Sequence, residues 1–309
     1  MPNAAGKVLV IGASGYLGRQ VSRALLSDRR RVRCSARDPE RLQDLAAVGC
    51  ETVRADISDG ASMDRALESI DAVYVCIHTL SPQAKGANHQ DFMEIEKNGL
   101  ANVVNACKAQ GTQRLIYVTS LGIEPDAQSA WLRGRWQAEQ FLLGSGLDVT
   151  IIQSGQIVGV GARGFDSLVG QARRPLAIDI GDGQQRALAL HVDDLVYYLV
   201  GVLDDPRAHG RRFDVGADQA LTNDQMIDVI AEVLNRRPPA KVHLPLGLVA
   251  SFAPLVTRLA KLPPGAIQGA LDSLRVDMTG DPDPIRTILP RVPLPYREAV
   301  AKALATGSR

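Results

Sequence analysis

Aromatic side chains are scarce in this chain. Phe, Trp and Tyr make up 4% of 309 residues, too few for the stacking platform on which single-stranded nucleic acid lies. Charge of one sign is missing too. With 35 basic and 34 acidic side chains and no long run of either, the chain has no electrostatic footprint for nucleic acid or an anionic membrane. The cluster Arg29, Arg30, Arg31 reads as a solvated helix end. Four cysteines, Cys34, Cys50, Cys76 and Cys107, lie far apart without a CxxC pair. That spacing offers neither a zinc site nor a disulfide framework, and it fits free thiols in a reducing cytoplasm. No apolar run approaches the length that spans a bilayer, and the N-terminal MPNAAGK carries no apolar signal segment. What is present is a 45% share of hydrophobic residues, ample for one large or two modest globular domains.

The most informative stretch is KVLVIGASGYLGR, Lys7 to Arg19. A β-branched run ends at Gly12, and Gly12, Gly15 and Gly18 lead into an amphipathic stretch from Tyr16 to Ser27. This reads as strand, glycine turn, helix. Gly12 permits the tight turn, Gly15 lets a pyrophosphate approach the backbone, and Gly18 lets the helix pack close to the strand. The unpaired N–H groups at the helix start, at Tyr16, Leu17 and Gly18 behind Ser14, then face the phosphates.

Strand and helix patterns alternate from there. Arg31–Ala36, Glu51–Ala55, Ala72–Ile77, Arg114–Thr119 and Val149–Ile152 read as further strands. Pro39–Val48 behind Asp38, Met63–Ser69, Phe92–Gln110 and Trp131–Leu143 read as helices. Such alternation predicts an α/β fold, a doubly wound parallel sheet with helices on both faces and its ligand at the carboxyl ends of the strands. Near Gln153 the rhythm breaks into glycines and short elements, including helices over 193–203 and 223–235, and prolines multiply after Arg236. We therefore expect a nucleotide-binding core over 1–152 and a smaller, mixed substrate lobe over 153–309, with some segments returning to the core. The apolar stretch from Leu244 to Leu262 suits a hydrophobic substrate or plain core. The helices Phe92–Gln110 and Trp131–Leu143 offer a face for a homodimer.

Where the second strand ends, NAD binders commonly carry an acidic residue and NADP binders a basic one. Here stand Ser35, Ala36 and Arg37. Arg37 is placed to pair with a 2′-phosphate, so NADP(H) is favoured. Asp38 keeps NAD(H) open, although it also reads as a helix cap. Asp56, followed by Ile57, is placed to meet the adenine, or simply to close a turn.

GASGYLG, ARDP, ADIS and NGLANVVNACKAQGTQRLIYVTSLG together resemble the short-chain dehydrogenase/reductase superfamily. With YVCIHTL, IVGVGARGF, HVDDLV and FDVGADQALTNDQMIDVIAEVLNRRP, the likeness is to its atypical, NmrA-like group and covers most of the chain. It implies a Rossmann-type core with a substrate lobe. Active members usually carry a tyrosine and, four residues later, a lysine after the fifth strand. Aligned on Glu139, those positions hold Trp131 and Arg135. Trp131 cannot donate the proton, while Arg135 retains a charge for the nicotinamide ribose. A second departure is Gln153-Ser154-Gly155, where relatives often read Arg-Pro-Gly. Ser120 corresponds to the serine that polarises a substrate carbonyl.

His78, after the fourth strand, and His191 are the remaining proton donors, because imidazole titrates near neutrality; both also read as structural. Asp193 and Asp194 read as the cap and first turn of a helix. No metal-ligand spacing or Ser/His/Asp pattern stands out. The sequence thus supports an NADP(H)-dependent reductase of a small hydrophobic carbonyl, enone or quinone-like compound. The alternative is a non-catalytic NADP(H) sensor or assembly protein that has lost the tyrosine.

Overall fold

The structure is a computed structural model that describes residues 6–77, 92–127, 129–251, 271 and 274–307. The first strand, β1 (Lys7–Ile11), is buried over its last four residues. Val8 and Val10 enter the core on one face of the sheet and Leu9 and Ile11 the core on the other, as a two-residue period requires. After the glycine turn come α1 (Tyr16–Ser27), β2 (Arg31–Ala36), α2 (Gln43–Ala47), β3 (Glu51–Arg54), α3 (Gly60–Leu67), β4 (Ala72–Val75), α4 (Phe92–Gln110), β5 (Arg114–Ser120), α5 (Ala130–Leu143) and β6 (Asp148–Ser154).

The later half supplies β7 (Gln156–Val158), α6 (Arg163–Ala172), β8 (Leu176–Ile180), β9 (Arg186–His191), α7 (Val192–Gly201), β10 (Arg211–Val215), β11 (Ala220–Thr222), α8 (Asn223–Val233) and β12 (Ala240–Leu244). Helices α9 (Asp283–Ile288) and α10 (Tyr296–Thr306) close the chain.

Seven strands form the central sheet in the order β10-β6-β5-β4-β1-β2-β3, every pairing parallel. This is a Rossmann-type α/β fold. The order reverses between β1 and β4, the switch point where such sheets open a crevice at their carboxyl ends. One face is covered by α1, α7 and α9, through Val21, Leu25, Leu195, Leu199, Ile285 and Ile288. The other is covered by α3, α4 and α5, through Met63, Leu67, Leu100, Val103 and Leu142. A separate core gathers Phe165, Leu168, Met226, Ile227, Ile230 and Val300 from α6, α8 and α10, over a three-stranded sheet (β11-β9-β7) and a ribbon of β12 and β8.

Several boundaries differ from the pattern reading. The stretch after Asp38 splits into a 3-10 turn, Pro39–Leu42, and the short α2, because Leu42 leaves helical geometry at φ −109°, ψ 7°. Helix α3 begins at Gly60, ahead of the expected Met63, since the Asp59 side chain accepts from the Ser62 N–H. Helix α8 stops at Val233 and not at Asn235, whose φ is +55°. A boundary at 152/153 falls inside β6, and β10, α7 and α9 beyond it complete the central sheet and its face.

Candidate nucleotide site

The three glycines stand in three different environments. Gly12 has φ +83°, and a Cβ there would lie 2.6 Å from the Cys76 carbonyl oxygen, so the turn requires glycine. A Cβ on Gly18 would lie 2.4 Å from the Gly12 carbonyl oxygen and 2.8 Å from the Ala13 Cα, so here the helix touches the strand. Gly15 is exposed, and its Cβ would meet only the Gly12 oxygen, at 3.3 Å. Gly15 is also the N-cap of α1, which has no side-chain cap and no acidic residue in its first turn. Such an end presents N–H groups and a positive dipole to an anion.

Around that loop, Ser14 is half-buried and Leu17 packs on the sheet core. Tyr16 lies against the glycines of the next lobe, filling the space that side chains at Gly159 and Gly161 would take. Burial, reinforced by Asp193 and Asp166, raises its phenol pKa to about 12, so Tyr16 is neutral and a poor acid near pH 7.

At the end of β2, Ser35 and Ala36 are buried and Arg37 is exposed. Among the described residues Arg37 makes no ion pair. Asp38 caps the following turn, its Oδ1 accepting from the Glu40 N–H at 3.2 Å. Asp56 Oδ1 accepts from the Ser58 N–H and hydroxyl at 3.0 and 2.8 Å, closing its own turn. The Ile57 carbonyl accepts from Asn102 at 2.8 Å, and its side chain sits where a Cβ on Gly99 would be.

At the carboxyl end of β5, the Ser120 hydroxyl is buried and has no hydrogen-bond partner among the described residues. A buried polar network lies beneath it. Arg135, 3% exposed, donates to Thr119 Oγ1 at 2.9 Å and lies 3.4 Å from Glu96 Oε2, with its guanidinium stacked on Trp131 at 5.2 Å. Burial alone would lower its pKa, but Glu96, Tyr117 and Glu139 hold it above the ordinary value. Tyr117 donates to Glu96 Oε1 at 2.5 Å. Glu139 is fully buried and accepts from Gln153 Nε2 at 2.9 and 3.1 Å, with Arg212 3.5 Å away. Burial lifts its pKa to about 7.

The sequence pattern gives no role to Glu96 and Arg212 and reads Tyr117 as strand core, where it is 1% exposed. Nothing in the spacing joins three separate elements. The exchange to Gln153 was visible, and the structure explains it: the amide serves Glu139. His78 lies outside the described residues. His191 is 3% exposed, and its Nδ1 accepts from the Asp193 N–H at 3.1 Å as the N-cap of α7. Burial lowers its pKa, which keeps it neutral. The cap of α7 is thus His191 and not Asp193. Asp194, 2% exposed, instead accepts from Arg291 Nε at 2.7 Å and the Leu294 N–H at 3.1 Å.

A cleft of about 550 Å³ opens nearby, lined in part by Gln185, His243, Leu246, Leu274 and Asp277. It adjoins the carboxyl end of β5, since a Cβ on Gly122, just past that strand, would lie 2.9 Å from the Asp277 carbonyl oxygen. Its volume suits a small ligand. Residues 252–262 of the apolar stretch lie outside the described residues.

A parallel sheet with its glycine turn at the head of α1 defines a dinucleotide-binding protein. The family model described as NAD(P)H-binding matches residues 12–172, more than half of the chain, and the chain belongs to that family. It is 28% identical over 274 residues, 88% of each chain, to (4-alkanoyl-5-oxo-2,5-dihydrofuran-3-yl)methyl phosphate reductase of Streptomyces griseus. It is 24% identical over 291 residues to the NAD(P)H azoreductase of Xenophilus azovorans, covering 89% of this chain and 93% of that one. Two other relatives are spanned over only about half their own length, 53% and 49%. Among solved structures, the NADPH-dependent quinone oxidoreductase of Escherichia coli complexed with NADPH superposes with a TM-score of 0.73 at 19% identity, over 96% of this chain and 99% of that one. That likeness concerns the fold. No helix among the described residues is long and apolar enough to cross a membrane.

Proposed function

We propose that the protein is an NADP(H)-dependent reductase of a small carbonyl, enone or quinone-like compound. The observation that carries this reading is the uncapped head of α1 beneath an exposed Gly15, with the exposed Arg37 at the end of the neighbouring strand β2. The donor set fits a phosphorylated dinucleotide. The Gly12–Gly18 turn, with the backbone of Ser14, Tyr16 and Leu17, holds the pyrophosphate. Arg37 pairs with the 2′-phosphate, and Asp56 and Ile57 border the adenine. When bound, the nicotinamide supplies the hydride.

The chain's part in the reaction is positioning and charge. Ser120, whose hydroxyl lacks a protein partner among the described residues, donates to the substrate oxygen and polarises it. Arg135 is turned onto Thr119 and Glu96, so in this reading it fixes the end of β5 and places a positive charge beneath the site. The proton arrives through Ser120, from water or from His78. Relatives named as reductases support the reductase class.

Parallel titrations with NADPH and NADH, read by nicotinamide fluorescence, test the proposal. NADPH should bind more tightly, and Arg37→Ala should weaken it by roughly 10- to 100-fold, the worth of about 1.5–3 kcal/mol in a charge-assisted pair, while leaving NADH unchanged. Failure of both nucleotides to bind overturns the reading. One observation favours a second reading: Trp131 is buried against Arg135 where reductases carry their acid. NADPH binding without oxidation by any carbonyl, enone or quinone would make the protein a nucleotide-sensing binding protein.

A further inference from the structure

Away from the nucleotide cradle, three side chains that the sequence keeps far apart converge. Asp179 of β8 and His243 of β12 are direct neighbours in the parallel ribbon. They lie on the side that meets α8, as the ion pair between Lys241 and Asp228 at 2.6 Å shows. Asp224 stands in the first turn of α8, which is fixed by a reciprocal cap between Thr222 and Gln225. One ligand-capable atom from each of Asp179, Asp224 and His243 lies within 4.8 Å of the others.

The contacts inside this cluster leave room for a cation. His243 Nε2 lies 3.1 Å from Asp224 Oδ2. The second Asp224 oxygen is buried and has no hydrogen-bond partner among the described residues. Asn223 Nδ2 donates to both Asp179 oxygens at 3.4 and 3.3 Å, an outer contact of the kind that orients a ligating carboxylate. Among the described residues no Lys or Arg pairs with Asp179 or Asp224, since Lys241 is held by Asp228. Two carboxyl groups therefore share one imidazole as their only basic neighbour in this cluster.

The loop around the cluster is shaped to it. Gly183 has φ +72°, and a Cβ there would lie 2.4 Å from His243 Nε2, so glycine lets the backbone close over the imidazole. Beside the cluster, Asp179, Asp182, Gly183 and Asn223 line a partly open space of about 10 Å³, which Asp224 and His243 do not border.

We propose that Asp179, Asp224 and His243 bind one divalent cation of the zinc class, clasping the β8–β12 ribbon to the head of α8. An imidazole with two carboxylates suits borderline first-row cations, whereas Mg²⁺ and Ca²⁺ take all-oxygen sets. Zinc–ligand bonds of about 2.0–2.2 Å put ligand atoms roughly 3.3 Å apart in a tetrahedron. The His243–Asp224 pair, at 3.1 Å, is close to that spacing, and a turn of Asp179 away from Asn223 and the Ile180 N–H would complete a three-ligand set with a position left for water. Because His243 also lines the 550 Å³ cleft, the cation would sit in the cleft wall. The proposal does not depend on the nucleotide reading.

The test uses the full chain without an affinity tag, stripped with chelator. Zn²⁺ titrated by calorimetry should saturate at one equivalent and raise the thermal midpoint. Co²⁺ should give visible bands of nitrogen and oxygen ligation without a thiolate charge-transfer band. His243→Ala and Asp224→Asn should each weaken Zn²⁺ at least tenfold, with far-ultraviolet circular dichroism unchanged. Absence of saturable Zn²⁺ uptake by the wild-type chain overturns the proposal. So does a thiolate band with Co²⁺, or uptake that His243→Ala leaves unaltered. Should a variant fail to fold, the wild-type stoichiometry and Co²⁺ spectrum still decide.

Discussion

Gly15 and Gly18 are three residues apart, and only one of them is held in place by packing. A methyl group on Gly18 would press into the Gly12–Ala13 backbone, and backbone cannot rotate away, so Gly18→Ala should destabilise the chain by about 1–3 kcal/mol. A methyl group on Gly15 meets a single carbonyl oxygen at 3.3 Å. Gly15→Ala should therefore melt near the wild-type temperature yet bind NADPH at least tenfold more weakly, because its methyl occupies the approach to the phosphates. Equal loss of stability in both variants would show that Gly15 serves packing alone. Glu139 makes a prediction of another kind. Burial raises its pKa from 4.5 to about 7, so between those values the native state holds a proton that the unfolded chain releases. Stability from this group is complete below pH 4.5 and is lost as pH rises through about 7, by up to about 3 kcal/mol. Glu139→Gln keeps an oxygen for Gln153 and removes the titration. Its melting temperature should fall less than that of wild type between pH 5 and 8, and identical pH profiles would refute the assignment.

At the scale of elements, the readable parts were those whose periodicity is strong and whose burial is two-sided. Strands β1, β2, β5 and β6 are runs of buried residues, and α1 opens on the Gly12, Gly15, Gly18 spacing directly after β1. The short strands β8 and β12 have partly exposed patterns, which blur the alternation, and β7 and β11 are three residues each. The glycine cradle was legible because its residues are contiguous. Neither the Glu96–Tyr117–Arg135 network nor the Asp179–Asp224–His243 cluster was, because topology and not spacing unites them. Helix α7 shows how a local rule yields to tertiary structure. Two aspartates at its start satisfy the preference for a cap, yet the buried imidazole of His191 takes that role and releases Asp194 to hold Arg291 and Leu294. Asp194→Ala removes one charge-assisted bond and one backbone bond from a site 2% exposed. It should cost about 2–3 kcal/mol and loosen the segment that leads to α10, read as faster amide exchange at 291–300. Exchange altered only around α3 would contradict this tether.

Over the whole molecule, the two halves of the sequence do not correspond to two separable folds. Phe213 and Val215 of β10, Leu195 and Leu199 of α7, and Ile285 of α9 are buried in the same core as Val8 and Val10 of β1. Arg114 of β5 is buried and reaches the Leu203 and Val202 carbonyls at the end of α7. The Tyr74 hydroxyl of β4 donates to the Leu199 carbonyl at 2.7 Å. A fragment ending at residue 152 would truncate β6, expose its edge at Thr150, Ile151 and Ile152, three of the five positions paired with β10, and leave one face of the sheet without α7. Unpaired edges and bare apolar faces favour aggregation over folding. The fragment 1–152 should therefore lack a cooperative thermal transition. The full chain should melt in one transition that NADPH moves upward as a unit, since a ligand bound only to the native state stabilises everything that folds with its site. A second calorimetric transition insensitive to NADPH would mean that the α6–α8–α10 core folds by itself and that the shared core does not tie it to the nucleotide cradle.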